Sequence, residues 1–228
     1  MTEPKSIFVI MPCYNEARVI RKTVTVVLEK GYRVVVVDDC SKDGSKKQLA
    51  GLPVYYLRHR VNMGQGAALQ TGIDFAKKKG AKYFVTFDAD GQHDSNDIAG
   101  MIELIEKGKA DIVFGSRFLP GSRTNASGPR TFVLNVARYI NYVVSGILLS
   151  DAYNGLRLFD RRAAESIRLT ENKMAHATQF QVLTAKHKLQ YCEYANSIHY
   201  NEYTTGKGLR NWDGIKIFFE ILLYKIFS

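Results

Sequence analysis

The first half of the sequence alternates short apolar runs with longer segments whose apolar residues recur at helical spacing. Each apolar run is bounded by turn residues, which is typical of a strand covered on both faces. The predicted strands are Ile7–Met11, Arg33–Val37, Val54–Leu57, Tyr83–Phe87 and Asp111–Gly115. The predicted helices are Glu16–Lys30, Gly66–Lys79 and Asp94–Lys107. This order predicts an α/β fold with a mostly parallel, doubly wound central sheet that is flanked by helices.

The second half of the sequence lacks this rhythm. It predicts a loop over Leu119–Arg130, a helix over Thr131–Leu149 and an irregular, then extended segment over Asp151–Arg162. Further on, it predicts a helix over Ala175–Lys188, a strand over Tyr191–Tyr200, a loop over Tyr203–Asn211 and an amphipathic helix over Trp212–Ser228.

Two carboxylates follow the fourth predicted strand, one residue apart. Asp88 and Asp90 point the same way if the backbone is extended there, because side chains alternate faces along a strand. Carboxylate oxygens suit Mg²⁺ or Mn²⁺, and two of them leave positions for substrate phosphates. The amide of Gln92 comes next, followed by His93, which is a softer ligand and is expected to be structural or supporting. The plain alternative is an ordinary acidic turn.

Polar residues also follow the first two predicted strands. In the segment Pro12–Glu16, Tyr14 could stack on a nucleobase and Glu16 could accept a hydrogen bond from a base or ribose. The alternative is a turn in which Asn15 caps the next helix. The second strand ends in Asp38-Asp39, and an acid there often holds ribose hydroxyls or a base, although a solvated turn is the alternative.

Phosphate-binding features are weaker but consistent with such a site. The loop Asn62–Gly66 has two glycines and precedes a helix, a setting in which backbone amides can approach a phosphate. It lacks the lysine of a P-loop and the spacing of a dinucleotide fingerprint, which disfavours both classes. Arg117 follows the fifth strand and can pair with a phosphate through two nitrogens. Further basic residues lie in the two predicted loops and would suit an anion clamp: Arg123, Arg130, Lys207 and Arg210.

The net charge indicates the kind of partner, and the cysteines and the N-terminal residues indicate the cellular compartment. The net charge of +10 favours an anionic partner, which could be nucleic acid, a membrane surface or a phosphorylated small molecule. No recognisable motif supports nucleic-acid binding. Cys13, Cys40 and Cys192 have no metal or disulfide spacing, which fits a reducing cytoplasm. Residues 1–6 carry no signal-peptide pattern, and no apolar run approaches the ~18 residues of a membrane span.

Five motifs in this order resemble one known family. They are Pro12-x-Tyr-Asn-Glu16, Val-Asp38-Asp39-x-Ser41-x-Asp43-Gly44-Ser45, Asn62-x-Gly-x-Gly66, Asp88-Ala-Asp90-x-Gln92-His93 and Gly115-Ser-Arg117. The sequence is similar to the family 2 glycosyltransferases with the GT-A fold, and within them to polyprenyl-phosphate glycosyltransferases related to dolichyl-phosphate mannose synthase. The segment Tyr203–Gly208 resembles a bacterial subgroup that transfers N-acetylglucosamine or glucose to undecaprenyl phosphate.

The resemblance implies a role for each motif. It implies that the nucleotide is held by Pro12, Tyr14, Glu16 and Asp39, the last of these in the second motif. It implies that Asp88, Asp90 and Gln92 hold Mg²⁺ or Mn²⁺, that Arg117 and Arg130 meet the acceptor phosphate, and that Lys207 meets the donor diphosphate. The donor would be a nucleotide sugar, with UDP preferred over GDP, and the acceptor a polyprenyl phosphate. An acceptor that is already anionic needs no strong general base.

The resemblance also implies an arrangement at the membrane. One catalytic domain would span residues 1–228, with a nucleotide and metal half over about 1–117 and an acceptor and membrane-facing half over about 118–228. We expect a peripheral enzyme on the cytoplasmic face of the membrane, with helices Thr131–Leu149 and Trp212–Ser228 along the bilayer surface. A small integral membrane protein is a further expected partner. Alternatively, these apolar faces cover the sheet or join copies of the chain in a homo-oligomer.

The sequence departs from the family in two respects. Many members end in two pairs of transmembrane helices, a pattern not seen here, and many carry lysine where this chain has Gln65.

Two other functions stay open. A glycosyltransferase with a glycan or soluble hydroxyl acceptor would need a carboxylate base, for which Asp94, Asp97 or Asp151 could serve. A nucleotidyltransferase also combines a Rossmann-like sheet with acidic metal ligands, but usually has a basic, glycine-rich loop after its first strand.

Overall fold

A computed structural model describes residues 3–124, 138–139, 141–172 and 175–199, and a seven-stranded sheet forms its centre. The strands are β1 (Ile7–Cys13), β2 (Arg33–Asp38), β3 (Tyr55–Arg58), β4 (Tyr83–Thr86), β5 (Ile112–Ser116), β6 (Arg123–Thr124), β7 (Arg157–Asp160), β8 (Tyr191–Ala195) and β9 (Ser197–Ile198). The order across the sheet is β3-β2-β1-β4-β7-β5-β8, while β6 and β9 pair separately. The predicted α/β fold with a mostly parallel sheet is confirmed.

Helices cover both faces of this sheet. They are α1 (Ile20–Leu28), α2 (Ser45–Gln48), α3 (Gln65–Lys78), α4 (Asp97–Glu106), α5 (Arg161–Ser166) and α6 (His176–Lys186). Residues 138–139 and 141–145 are also helical. Within the described part of the chain, no helix combines the length and the apolar character that crossing a membrane requires.

The core forms two layers because neighbouring residues of a strand face opposite sides. In β1, Val9 and Met11 join the layer beneath α1 and α4, whereas Phe8 and Ile10 join the layer beneath α3, α5 and α6. Burial of each of these side chains contributes about 1.5–3 kcal/mol of hydrophobic free energy. A strand that must fill both layers is apolar throughout, which explains the continuous runs in the sequence.

The register of the parallel strands aligns their carboxyl ends. Cys13 of β1 lies opposite Asp38 of β2, and Asp38 in turn lies opposite Arg58 of β3. On the other side of β1, Ile10 lies opposite Thr86, the last residue of β4. The loops that follow β1, β2, β3 and β4 therefore leave the sheet along one edge.

Strand β7 is the one antiparallel member among the described strands of this sheet. It enters between β4 and β5 and pairs with both, so that Val85 lies opposite Leu158 and Phe114 opposite Arg157. The sequence predicted an irregular, then extended segment here, but not its position in the middle of the sheet. This insertion brings Arg157 beside the end of β4.

Several predicted boundaries differ from those observed. Helix α1 begins at Ile20 rather than Glu16, because the chain first turns at Asn15, whose φ is 57°. The helix predicted to end at Leu149 ends at residue 145, since Gly146 has a φ of 74°. The strand predicted over Tyr191–Tyr200 breaks into β8 and β9, and Tyr200 lies outside the described residues. The predicted segments Tyr203–Asn211 and Trp212–Ser228, and most of Leu119–Arg130 and Thr131–Leu149, also lie wholly or partly outside them.

The close approach of α3 to the sheet predicts a cost for added volume at Gly72. A Cβ atom there would lie 2.3 Å from Cγ2 of Ile10 and 3.3 Å from Cγ2 of Val37. We expect Gly72→Ala to lower the free energy of unfolding by about 1–3 kcal/mol through overpacking. Lys78→Ala, on the exposed side of the same helix, should change it by less than about 0.5 kcal/mol. Urea unfolding followed by circular dichroism measures both, and equal midpoints would contradict this packing.

Candidate functional site

The carboxylate of Asp88, two residues beyond the end of β4, is held from two sides. Its Oδ2 lies 3.1 Å from Nε2 of His93, and its Oδ1 accepts a hydrogen bond of 3.0 Å from Nε2 of Gln65. The side chain of Asp88 remains 31% exposed, whereas that of His93 is 2% exposed. His93 therefore contacts the Asp88 carboxylate directly, and its supporting role at a cation site stays a prediction.

Positive neighbours set the charge state of Asp88. Burial by itself would raise the pKa of Asp88, but the hydrogen bond from His93 and nearby positive charges, including Arg157, hold that pKa below its usual value. Arg157 is 2% exposed, and its guanidinium lies 4.8 Å from the ring centre of Phe180. Burial lowers the pKa of Arg157 to about 10, against the opposing influence of Asp88 and Asp151. A buried cation thus stands behind an ionised carboxylate.

Asp90 has the opposite tendency. Burial and then the negative charge of Asp88 raise the pKa of Asp90 to about 6. The charge of Glu16, from the loop after β1, acts in the same direction. Oδ1 of Asp90 accepts a hydrogen bond of 3.1 Å from the backbone amide of Gln92. The negative charges of Asp88 and Asp90 repel each other, and a divalent cation bound to both would reduce that repulsion.

The surroundings of the two carboxylates fit a divalent cation. A Cβ atom on Gly155 would lie 2.0 Å from Oδ2 of Asp88, so the carboxylate rests directly against backbone. Thr86 fixes that backbone by donating a hydrogen bond of 2.7 Å from Oγ1 to the carbonyl of Gly155. In the described residues, no group of three or more His, Cys, Asp or Glu side chains is arranged to hold a metal ion. A cation at Asp88 and Asp90 would therefore take further ligands from water or substrate, as Mg²⁺ commonly does.

A cavity of about 460 Å³ opens beside Asp90 and runs along α1. Lys22 and Lys30 line its α1 side, and His93, Asp94 and His199 line the side opposite. It adjoins the carboxylate pair but mixes charges of both signs, so its lining does not select one class of ligand.

The loops after β1 and β2 are joined by hydrogen bonds that backbone amides of the first loop donate to side chains of the second. The contacts are Asn15 N to Ser41 Oγ at 2.9 Å, Glu16 N to Ser45 Oγ at 2.9 Å and Ala17 N to Asp43 Oδ2 at 2.8 Å. These contacts fix residues 15–17, directly after Tyr14, which is 46% exposed. An exposed, anchored ring is suited to stack on a planar ligand.

Asp38 and Asp39 are both buried, at 1% and 3% exposure, and both contact their own chain. Asp38 accepts hydrogen bonds from the amide of Ser41 at 2.8 Å and from the hydroxyl of Tyr56. Asp39 accepts from the amides of Met63 at 2.8 Å and Gly64 at 2.7 Å. Neither carboxylate is thus a simple solvated turn residue.

The predicted phosphate loop uses several of its amides within the protein. Besides Met63 and Gly64, which bind Asp39, Gly66 donates a hydrogen bond of 2.9 Å to the carbonyl of Asn172. A Cβ atom on Gly66 would lie 1.9 Å from the carbonyl oxygen of Glu171. The glycine at position 66 therefore permits close packing of α3 against the segment before α6, and these amides do not point at a ligand.

Arg117 and Asp151 form a buried ion pair at the carboxyl end of β5. Nε of Arg117 donates to Oδ2 of Asp151 at 2.6 Å, and the two side chains are 7% and 1% exposed. Asn154 donates to the same oxygen at 3.1 Å, and its amide also reaches Oδ1 of Asn196 at 2.9 Å. Arg117 thus anchors the second half of the chain to β5, and its contact with an acceptor phosphate stays a prediction.

The three carboxylates considered as bases for a hydroxyl acceptor have other contacts. Asp151 pairs with Arg117, Asp97 accepts a hydrogen bond of 2.9 Å from the amide of Ser197, and Asp94 accepts one of 2.9 Å from the amide of Asn96. Arg130 and Lys207, predicted to meet the two phosphates, lie outside the described residues.

Sequence reasoning missed the residues that come to the site from other strands and helices. Gln65, His59, Gly155 and Arg157 contact or face the predicted site residues from α3, the β3 loop and β7. Arg157 did leave a signal, because a charged residue between Leu156 and Leu158 in an apolar run requires a buried partner.

Comparison with protein families and sequences identifies relatives across most of the chain. A family model described as Glycosyl transferase family 2 matches residues 8–168. An uncharacterized protein of Methanocaldococcus jannaschii is 33% identical over 228 residues, which cover 97% of this chain and 93% of the relative. The UDP-N-acetylglucosamine–dolichyl-phosphate N-acetylglucosaminyltransferase of Methanococcus voltae is 30% identical over 243 residues and covers 97% of each chain.

Solved structures share the fold. The glucosyl-3-phosphoglycerate synthase from Mycobacterium tuberculosis, in complex with Mn²⁺, uridine-diphosphate and glucosyl-3-phosphoglycerate, matches 97% of this chain and 80% of its own. Its TM-score is 0.72 at 14% sequence identity, a level at which the likeness concerns the fold alone. The arrangement of sheet and helices is thus GT-A-like.

The buried pair of Arg117 and Asp151 predicts a large loss of stability when one partner is removed. Asp151→Asn keeps the shape of the side chain but removes the negative charge that faces the guanidinium, and we expect a cost of about 3–5 kcal/mol. The exposed pair of Arg161 and Glu165 is the control, since Glu165→Gln should cost less than about 1 kcal/mol. Chemical unfolding compares the two variants, and similar small losses would show that Asp151 does not neutralise a buried charge.

Proposed function

The chain belongs to glycosyl transferase family 2 and is a glycosyltransferase, and we propose that it transfers N-acetylglucosamine or glucose from a UDP-sugar to a polyprenyl phosphate. The observation that carries this proposal is the carboxylate pair of Asp88 and Asp90 at the end of β4, supported by His93 and Gln65. Family membership also favours sugar transfer over the nucleotidyl transfer considered from the sequence.

The donor side of the proposal rests on the loops after β1, β2 and β4. The exposed ring of Tyr14 would stack on the base, with Pro12 and Glu16 beside it. Asp39 accepts three hydrogen bonds from its own chain, and a carboxylate has about four acceptor positions, so it retains one for the nucleotide. UDP is proposed because the relative from Methanococcus voltae is named for a UDP-sugar and the mycobacterial synthase binds uridine-diphosphate.

In the proposed reaction, an oxygen of the acceptor phosphate attacks the anomeric carbon of the sugar. The bond from that carbon to the diphosphate breaks, the diphosphate leaves with the electron pair, and the configuration inverts. Asp88, Asp90 and Gln92 would hold Mg²⁺ or Mn²⁺, which supplies positive charge to the departing diphosphate. Lys207 would contribute charge to the same group, and Arg117 and Arg130 would receive the acceptor phosphate.

A lipid phosphate as acceptor agrees with the contacts of the nearby acids. A phosphate is already ionised and needs no base, whereas a sugar hydroxyl requires one. The three candidate bases are hydrogen-bonded or ion-paired within the protein. Several relatives are named for polyprenyl or dolichyl phosphate acceptors, including polyprenol monophosphomannose synthase of Mycolicibacterium smegmatis.

The first test is enzymatic and uses Asp90→Ala. Incubation with Mn²⁺, undecaprenyl phosphate and radiolabelled nucleotide sugars should give a labelled lipid with unmodified protein and none with this variant, because the cation would lose a ligand. Asp94→Asn is the matched control and should keep activity within about threefold, because the proposed transfer assigns no role to this half-buried acid. Transfer by Asp90→Ala in saturating Mn²⁺ would refute the site, and loss of activity in Asp94→Asn would favour a hydroxyl acceptor that uses Asp94 as base.

The proposal places the enzyme on the cytoplasmic face of the membrane, with a small integral membrane protein as a possible partner. Support comes from the helical residues 138–139 and 141–145, where Tyr139, Tyr142 and Val143 are 56%, 46% and 68% exposed. Their spacing puts these three side chains on one helical face. An exposed apolar face on a chain of net charge +10 suits the surface of an anionic bilayer.

Vesicle flotation tests this attachment. The protein should float with vesicles that contain anionic lipid and should bind several-fold less when Tyr142 and Val143 are both changed to Ser, because apolar burial in the interface is lost. Neutral vesicles and raised salt should both weaken flotation. If the unmodified protein stays at the bottom of the gradient with every lipid, the face serves another purpose, such as joining copies of the chain.

A further inference from the structure

His59, in the loop after β3, connects the loop after β2 to helix α3. Its Nδ1 lies 2.8 Å from Oδ1 of Asp39, and its Nε2 lies 3.0 Å from Oγ1 of Thr71 on α3. The side chain is 11% exposed. Since a carboxylate accepts hydrogen bonds, Nδ1 carries the proton toward Asp39, and in the neutral ring Nε2 accepts from the Thr71 hydroxyl. Both ring nitrogens are therefore used to orient the carboxylate of Asp39.

Asp39 in turn fixes the loop that precedes α3. Its oxygens accept the amides of Met63 and Gly64, which are successive donors in the backbone. Gly64 has a φ of 98° and a ψ of 163°, a conformation that only glycine adopts readily. Met63 is 46% exposed, so its side chain contributes little to holding the loop. The carboxylate of Asp39 is thus the main described contact that keeps this turn in place.

The turn leads directly to Gln65, the first residue of α3. The side-chain amide of Gln65 donates to Oδ1 of Asp88 at 3.0 Å, while His93 contacts the other oxygen, Oδ2. A neutral donor at this place orients the carboxylate and adds no positive charge beside it. The position of the Gln65 amide depends on where the turn places the start of α3.

We propose that His59 is a positioning residue for the cation site, acting through Asp39, the turn at Met63 and Gly64, and the amide of Gln65 on Asp88. This inference rests on the proposed function, because it assigns to these residues the task of orienting a cation ligand. Asp39 then has a role besides contact with the nucleotide. Gln65 orients Asp88 without adding charge, whereas the ammonium group of a lysine would form an ion pair with Asp88. Groups that orient ligand side chains in this way commonly change metal affinity by about 10–100-fold.

The central comparison is His59→Leu against His59→Asn. Leucine removes both hydrogen bonds, whereas the asparagine amide can place a donor where Nδ1 of histidine lies and so keep the contact with Asp39. Hydrogen exchange at the amides of Met63 and Gly64 should become about tenfold faster or more in His59→Leu and change little in His59→Asn. This readout needs no cation and no activity. Equal protection of both amides in His59→Leu and the unmodified protein would overturn the proposal.

The second measurement is the affinity for Mn²⁺ alone, followed by electron paramagnetic resonance well below the melting temperature of each variant. We expect His59→Leu to bind Mn²⁺ about tenfold more weakly and His59→Asn to stay within about threefold of the unmodified protein. A lower melting temperature of His59→Leu with unchanged Mn²⁺ affinity would mean that His59 only stabilises the fold, which would overturn the proposal.

A double variant tests whether the effect passes through Gln65. Gln65→Met removes the donor to Asp88 at nearly constant length, and adding His59→Leu should then weaken Mn²⁺ binding no further, because both changes remove the same contact. Losses that multiply would show an independent route and overturn the pathway. If the unmodified protein binds no Mn²⁺ at all, the cation part of the proposed function fails, and the exchange of the Met63 and Gly64 amides alone decides whether His59 holds the turn.

Discussion

Parallel pairing of β1 with β2 on one side and β4 on the other determines where every part of the site can lie. Because both faces of these strands are buried, their backbone groups must pair with each other and their side chains must be apolar up to the last residue. Polar residues can begin only where the strands end, and the register places Cys13, Asp38 and Thr86 near one edge. The loops at that edge are short, which confines the acids and the exposed Tyr14 to a small region.

Such a concentration of acids at a buried edge requires compensation, and the structure supplies it in three ways. Asp38 and Asp39 accept hydrogen bonds from their own chain, which stabilise the buried carboxylates. Asp151 pairs with Arg117 at close range. Asp88 is hydrogen-bonded to Gln65 and His93 and has the buried charge of Arg157 near it, while Asp90 accepts the amide of Gln92 and has a pKa raised to about 6. Because the charge of Asp88 still disfavours ionisation of Asp90, this pair suits a divalent cation.

Several motif residues that resemble ligand contacts in the sequence hold other loops in the structure. Ser41, Asp43 and Ser45 bind the backbone after β1, and the glycine at position 66 lets α3 pack against Glu171. These side chains therefore position the segment after β1 through their own hydrogen bonds. Preorganised loops of this kind keep the acids in place without help from the substrate, which reduces the ordering cost of binding.

The sequence by itself determined the strands of the first half, the mostly parallel sheet and the placement of Asp88 and Asp90 at a strand end, because hydrophobic periodicity and turn residues are local signals. Only the tertiary structure decided that β7 enters antiparallel between β4 and β5, and that Arg157, Gly155, Gln65 and His59 meet the acids. These contacts join residues far apart in the chain, and they depend on strand order and helix packing, which no local pattern encodes. The charge of Arg157 within an apolar run did indicate that this residue has a buried partner, but the sequence does not identify that partner.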